Sequence, residues 1–180
     1  DISFIISVPA FPLSLFSFAF TIMPHQLWAP WRMKYILNAK KEEGCFLCSA
    51  GSSRDDEAHL VVFRNEWCFC LLNRYPYNNG HLLVAPYAHK ADFCELTKDE
   101  SAAIMCALGE MQNRLRDAMR PDGFNIGVNI GKTSGAGLPG HLHFHIVPRW
   151  EGDTNFMPVL ADTKVIPQAL EEVFRMLRRK

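Results

Sequence analysis

The sequence carries no surplus charge of either sign: its 180 residues hold 19 Lys and Arg against 19 Asp and Glu, with seven His besides. A chain without basic excess has few counterions to release from a polyanion. That excludes binding held mainly by nucleic-acid phosphates or acidic lipids. The acidic bias of a disordered solvating segment is missing too, since 48% of residues are hydrophobic and 21% charged. Residues 23–180 contain neither an internal repeat nor a low-complexity linker. Length and composition therefore describe one globular domain with enough apolar residues for a real core.

The first 22 residues lack almost all charge. Asp1 is their one ionised side chain, and they hold five of the 13 Phe. No Lys or Arg precedes the apolar run, as a signal peptide requires. Pro9 and Pro12 interrupt the run, and Ser3, Ser7, Ser14 and Ser17 dilute it, against a membrane-spanning helix. The expectation is that residues 1–22 lie upstream of a start at Met23 and that the domain covers 23–180; an apolar leader is the alternative. On this reading the protein is cytoplasmic and not membrane-bound. Its six Cys are then reduced, buried or metal-bound rather than paired in disulfides.

Strand signals fall at about 59–63, 67–72, 80–86, 124–130 and 141–148. Between the third and fourth, Thr97 and Glu100 form a capping box. Ile104, Leu108, Met111 and Leu115 then recur at helical spacing until Pro121-Asp122-Gly123. A last helix starts near Pro167 and presents Leu170, Val173, Phe174 and Leu177 on one face. Its cationic end, Arg175, Arg178, Arg179 and Lys180, suits a helix C-terminus. Gly44–Glu57 reads as a polar loop around a Cys pair. The expected class is α+β: five strands, a long helix between strands 3 and 4, and a C-terminal helix.

Three of the seven His alternate in His141-Leu142-His143-Phe144-His145. In a strand, alternate side chains share a face. The expectation is that His141, His143 and His145 line one face, roughly 7 Å apart, while Leu142, Phe144 and Ile146 enter a core. A glycine-rich loop, Gly131 to Gly140, precedes them. Its four glycines allow close backbone approach to an anion. Gly131-Lys132-Thr133 is not a P-loop tail, because Gly127 lies one residue too close and the loop leads into a strand. An imidazole row beside an anion-binding loop suits nucleophilic attack at phosphorus, since neutral imidazole needs no prior activation. Neighbouring imidazoles can stabilise charge on oxygen and protonate a leaving group.

These residues resemble the histidine-triad superfamily, whose signature is H-φ-H-φ-H-φ-φ. The likeness extends to Asn73-Arg74-Tyr75-Pro76, Gly80-His81-Leu82-Leu83-Val84-Ala85-Pro86 and Asn129-Ile130-Gly131. Leu27-Trp28-Ala29-Pro30-Trp31-Arg32-Met33 and the stretch from Pro148 to Phe156 are similar to the bacterial branch around diadenosine tetraphosphate phosphorylase. The resemblance implies a mainly antiparallel five-stranded sheet, a homodimer, and a nucleotidyl hydrolase or transferase acting on dinucleoside polyphosphates. It implies that His143 attacks the α-phosphorus, that His145 and His81 contact phosphate and assist the leaving group, and that Asn73 holds the ribose. Main-chain groups around Gly135, Ala136 and Gly137 would hold phosphate oxygens, and Asn129 would brace the loop. Gly137 stands where many members carry Gln, so that contact to phosphate is expected to be absent or to be replaced by Ser134 or Thr133. Phe144 stands where some members of the branch are polar. Water or inorganic phosphate would be the acceptor, with no organic cofactor. A phosphoramidase and a non-catalytic nucleotide-binding adaptor are the alternatives that the same residues allow.

Cys45-Phe46-Leu47-Cys48 offers two thiolates to one soft tetrahedral ion. It precedes the first strand, unlike a redox C-x-x-C. The resemblance implies that His89 and His141 complete a structural zinc site. Cys68, Cys70, Cys94 and Cys106 are expected to be packing residues. Trp28 and Trp31 are expected to anchor an N-terminal arm, and His25 and His59 to be surface or structural.

Overall fold

The computed structural model describes residues 44–153 and 166–178. The apolar segment 1–22, His25, the Trp28–Met33 block and Thr154-Asn155-Phe156 lie outside the described residues. The chain runs α1 (Phe46–Ser52), β1 (Val61–Arg64), β2 (Cys68–Leu72), β3 (Leu82–Pro86), α2 (Lys98–Met119), β4 (Gly123–Val128), β5 (Phe144–Arg149) and α3 (Leu170–Arg178). The strands form one sheet in the order β1-β2-β3-β5-β4, every neighbouring pair antiparallel. This is the expected α+β fold, with its long helix between strands 3 and 4.

Each element has a local cause. All five residues of β2 and all five of β3 are buried, as a strand must be when both faces of the sheet are covered. On one face, Cys68, Cys70, Leu72, Leu82, Val84 and Ile146 meet Ile104, Leu108, Met111 and Leu115 of α2 and Val173, Phe174 and Leu177 of α3. On the other face, Phe69, Leu71, Leu83 and Ala85 meet Leu47 and Ala50 of α1. The capping box at Thr97 and Glu100 is formed. The helix ends at Arg120 in a left-handed conformation (φ 49°) just before Pro121. At 22 residues it spans about 33 Å. That carries the chain from β3 across to edge strand β4, so that β5 must return between them.

Three expectations are corrected. Residues 44–57 are not all loop, because α1 occupies 46–52. Its N-terminus is capped by the Cys45 thiol, which accepts from Cys48 N–H. Its C-terminal carbonyls are capped from a distance: the Arg64 guanidinium donates to the carbonyls of Ala50 (2.8 Å), Gly51 (3.0 Å) and Ser53 (2.9 Å). Second, β5 begins at Phe144 rather than 141. Leu142 N–H donates to the Lys90 carbonyl (2.6 Å) instead of joining the ladder. Third, Cys68 and Cys70 are packing residues, but Cys94 and Cys106 are exposed. Burial holds the Cys68 thiol up at about 11 and the Cys70 thiol well above its ordinary value, so neither is a nucleophile.

Gly80 aims His81. Its φ is +73°, and a Cβ there would meet Met119 Sδ at 2.7 Å and Leu115 Cδ2 at 3.1 Å. A side chain would meet both backbone strain and a core clash. Gly80→Ala is therefore expected to lower folding stability by about 2 kcal/mol or more, read from the urea midpoint; an unchanged midpoint would contradict this role.

Candidate active site and metal cluster

His81 immediately precedes β3 and is fully buried. Its strand pairs with β5 so that Leu83 lies opposite His145, which brings both imidazoles to the α1 side of the sheet. The hydrogen bonds between them have one consistent direction. Tyr77 N–H donates to His81 Nδ1 (3.0 Å), and Asn73 Nδ2 also lies 3.3 Å from that atom. His81 Nδ1 is thus an acceptor, and the ring proton sits on Nε2. Nε2–H donates to His145 Nδ1 at 2.9 Å. The same logic puts the His145 proton on Nε2. Among the described residues, His145 Nε2 is the buried side-chain polar atom with no hydrogen-bond partner. Its N–H is a donor awaiting an acceptor.

His143 is held by a different bond. Its Nδ1–H donates to the carbonyl of His141 at 2.7 Å, which leaves the lone pair on Nε2. Its ring meets that of His145 edge-on, with centroids 5.1 Å apart. Burial keeps both rings neutral: it lowers the His143 pKa against the bond to the His141 carbonyl, and, with the repulsion a second proton would meet beside His143, it brings His145 to about 4. A neutral imidazole with a free Nε2 lone pair and an imidazole with an unpartnered Nε2–H therefore sit on touching rings. That pair suits attack at an electrophile whose oxygen accepts a proton or hydrogen bond.

His141 lies on the same α1 side of the sheet, while Phe144 and Ile146 enter the opposite core. Residues 141–143 precede the strand, however, and the His141 ring turns to the Cys pair rather than to the other imidazoles. Its Nε2–H donates to the Pro86 carbonyl (2.9 Å). Its Nδ1 lies 3.2 Å from Cys45 Sγ and 3.5 Å from Cys48 Sγ. His89 Nδ1 lies 3.2 Å from Cys48 Sγ. The four ligand atoms of Cys45, Cys48, His89 and His141 all lie within 4.8 Å of one another. Tetrahedral zinc would hold S and N ligands roughly 3.3–3.8 Å apart, so small side-chain adjustments would admit the ion. A ring N–H donated to a backbone carbonyl, as His141 donates to Pro86, is also what orients a metal-bound His. This donor set could hold a metal ion.

The remaining candidates are spread out. Asn73 joins the histidine group, and its Oδ1 accepts from Tyr75 N–H (2.9 Å). Ser134 turns its hydroxyl onto the Gly131 carbonyl (2.8 Å) within its own turn. Ser134, Gly135 and Gly137 are exposed, and Asn129 and Ala136 are half-buried. Gly131 and Gly135 take positive φ (82° and 85°), as a sharply folded loop needs. Phe144 faces away from the histidines and packs edge-on against Phe93.

Two contributors escape sequence reasoning. Tyr77 lies against both imidazoles, and its only signal is an aromatic residue four positions before His81. The Lys90–Glu100 ion pair (2.5 Å) ties the segment after β3 to the start of α2. Lys90 thereby presents its carbonyl to Leu142 N–H, between His141 and His143.

A family model described as the HIT domain matches residues 54–152. The chain is 40% identical over 159 residues to a Mycobacterium tuberculosis protein named AP-4-A phosphorylase, an alignment covering 84% of this chain and 82% of that one. It is 30% identical over 112 residues to Arabidopsis thaliana adenylylsulfatase HINT3, covering 62% and 55%. Among solved structures, a zinc-bound histidine triad family protein from Mycobacterium smegmatis superposes with a TM-score of 0.60 at 25% identity, over 75% of this chain and 91% of that one.

The depressed His145 pKa has a direct readout. The ring binds a proton only near pH 4, so between 4 and 6.5 the folded state binds fewer protons there than the unfolded state. In the folded protein, NMR of labelled histidine should show the His145 ring neutral, with no inflection, from pH 8 to 5. A midpoint near 6.5 would contradict the burial described.

Proposed function

The chain belongs to the HIT domain family, and on that premise we propose that it is a nucleotidyl hydrolase or transferase cleaving dinucleoside polyphosphates, with diadenosine tetraphosphate the favoured substrate. The observation that carries this reading is the contact of two rings, His143 with its Nε2 lone pair and His145 with its unpartnered Nε2–H. The likeness to the mycobacterial phosphorylase supports the choice of substrate.

In the proposed first step, His143 Nε2 attacks the α-phosphorus and forms an N–P bond. The bond from phosphorus to the bridging oxygen breaks, and the leaving nucleotide takes its electron pair. His145 Nε2–H lies ready to donate to that oxygen, and His81 holds His145 in the donating tautomer. In the second step, inorganic phosphate or water attacks phosphorus, and the electrons of the N–P bond return to His143. Asn73, beside His81, would hold the ribose. The exposed loop from Ser134 through Gly135 and Ala136 to Gly137, with Asn129 at its base, would hold phosphate oxygens.

A zinc ion at Cys45, Cys48, His89 and His141 would act as a structural Lewis acid, locking the backbone of His141. That backbone supplies the carbonyl that orients His143. The family domain is proposed to cover 23–180; an alignment over 84% of the chain, longer than the span 54–152, supports a domain larger than that span. A cytoplasmic homodimer completes the reading. Among the described residues no helix is long and apolar enough to cross a membrane, and β4 is an edge strand with Ile126 42% exposed.

Incubation with diadenosine tetraphosphate, with and without phosphate, tests the reaction. ATP plus ADP, the ADP depending on phosphate, is expected for phosphorolysis; AMP plus ATP marks hydrolysis. His143→Ala should lower kcat by at least about 1,000-fold while keeping the fold, and normal turnover by that variant would sink the mechanism. Metal analysis should find about one zinc per chain, lost in Cys48→Ser together with thermal stability. A metal-free wild-type protein of equal stability would refute the zinc site.

A further inference from the structure

Tyr77 is 40% exposed although it sits against two buried groups. Its ring centroid lies 4.7 Å from that of His81 at an interplanar angle of 32°, and 5.7 Å from that of His145 at 23°. Imidazoles therefore line its inner side, and the remaining ring surface meets solvent. The ring is also held in place. Its own N–H is bonded to His81 Nδ1. The next two residues are buried and tied down, Asn78 to the Pro148 carbonyl (3.0 Å) and Asp153 Oδ2 (2.8 Å), Asn79 to Gln168 Oε1 (2.6 Å). Tyr75, also exposed, serves a different place. It lines a cavity of about 460 Å³ with Leu60, Arg74 and Phe174, on the side of α3. Tyr77 thus presents a rigid π surface beside the histidine pair, where a phosphate bonded to His145 Nε2 would leave its nucleoside within reach.

On the proposed nucleotidyl reading, we propose that the solvent-facing side of Tyr77 is a stacking platform for a nucleobase of the substrate, a purine. An aromatic face recognises the π-face of a base and not its hydrogen-bonding pattern. The platform therefore selects for a base over none, and discriminates poorly between adenine and guanine.

Equilibrium binding without turnover tests this. Calorimetry would compare AMP with ribose 5-phosphate, which keeps the phosphate and sugar and lacks the base. Tyr77→Ala should weaken AMP about tenfold and leave ribose 5-phosphate within about twofold; Tyr77→Phe should bind both as the wild type does. Equal weakening of both ligands would overturn the platform and leave Tyr77 as a support for the histidines. Unchanged AMP affinity would overturn it too. Should the Ala variant fail to fold, wild-type NMR decides: AMP, but not ribose 5-phosphate, should shift the Tyr77 ring protons upfield, and no shift would refute stacking. A failed platform leaves wild-type turnover of diadenosine tetraphosphate intact, whereas failure of the nucleotidyl reading appears as no turnover at all.

Discussion

The site depends on a short relay of hydrogen bonds whose direction is set at one end. Tyr77 N–H can only donate, so His81 Nδ1 must accept, His81 Nε2 must donate, and His145 must present Nε2–H. No charged group is needed to choose these tautomers. The cost is a buried N–H left without a partner, about 1–3 kcal/mol. A phosphate oxygen at that point would recover it. Burial has a second effect. It keeps His143 and His145 neutral, so His143 retains its Nε2 lone pair near neutral pH, as the proposed nucleophile must.

The same short segment joins the candidate metal cluster to the histidine pair by facing two ways. His141 uses its side chain toward Cys45 and Cys48 and its carbonyl toward His143. Leu142 between them is pinned by the Lys90 carbonyl, and Lys90 is pinned by Glu100 at the α2 capping box. Whatever rigidifies the Cys/His cluster therefore also rigidifies the carbonyl that orients His143. The rest of the fold contributes by making this placement stiff. Fully buried β2 and β3 are covered on both faces, and Gly80 fits where no side chain could.

Much of this was legible in the sequence because it is local or periodic. The α2 capping box, the apolar spacing of Ile104 to Leu115 and the five strands follow from neighbouring residues. The four members of the metal cluster were found through a family resemblance, as the spacing of Cys45 and Cys48 alone names only two. What was illegible is long-range. Helix α1 is stabilised by Arg64, twelve residues beyond its end, and nothing in its own short sequence announces that cap. The alternation of His141, His143 and His145 imitates a strand, but the bond from Leu142 to Lys90 takes two of the three out of the sheet. Tyr77 has no motif, and its place beside the imidazoles comes from the turn that Asn78 and Asn79 anchor. Exposed Cys94 and Cys106 show the limit of composition, since a small apolar residue type does not state its own burial.

The central claim is that His143 becomes covalently bonded to a nucleotide. Rapid acid-free quenching during turnover of diadenosine tetraphosphate, followed by peptide mass spectrometry, tests it directly. The expected result is an adenylyl group on His143, on no other histidine, that disappears when phosphate or water completes the cycle. Full turnover with no nucleotide on His143 at any quench time, or with the group on His145 or His81, would contradict it.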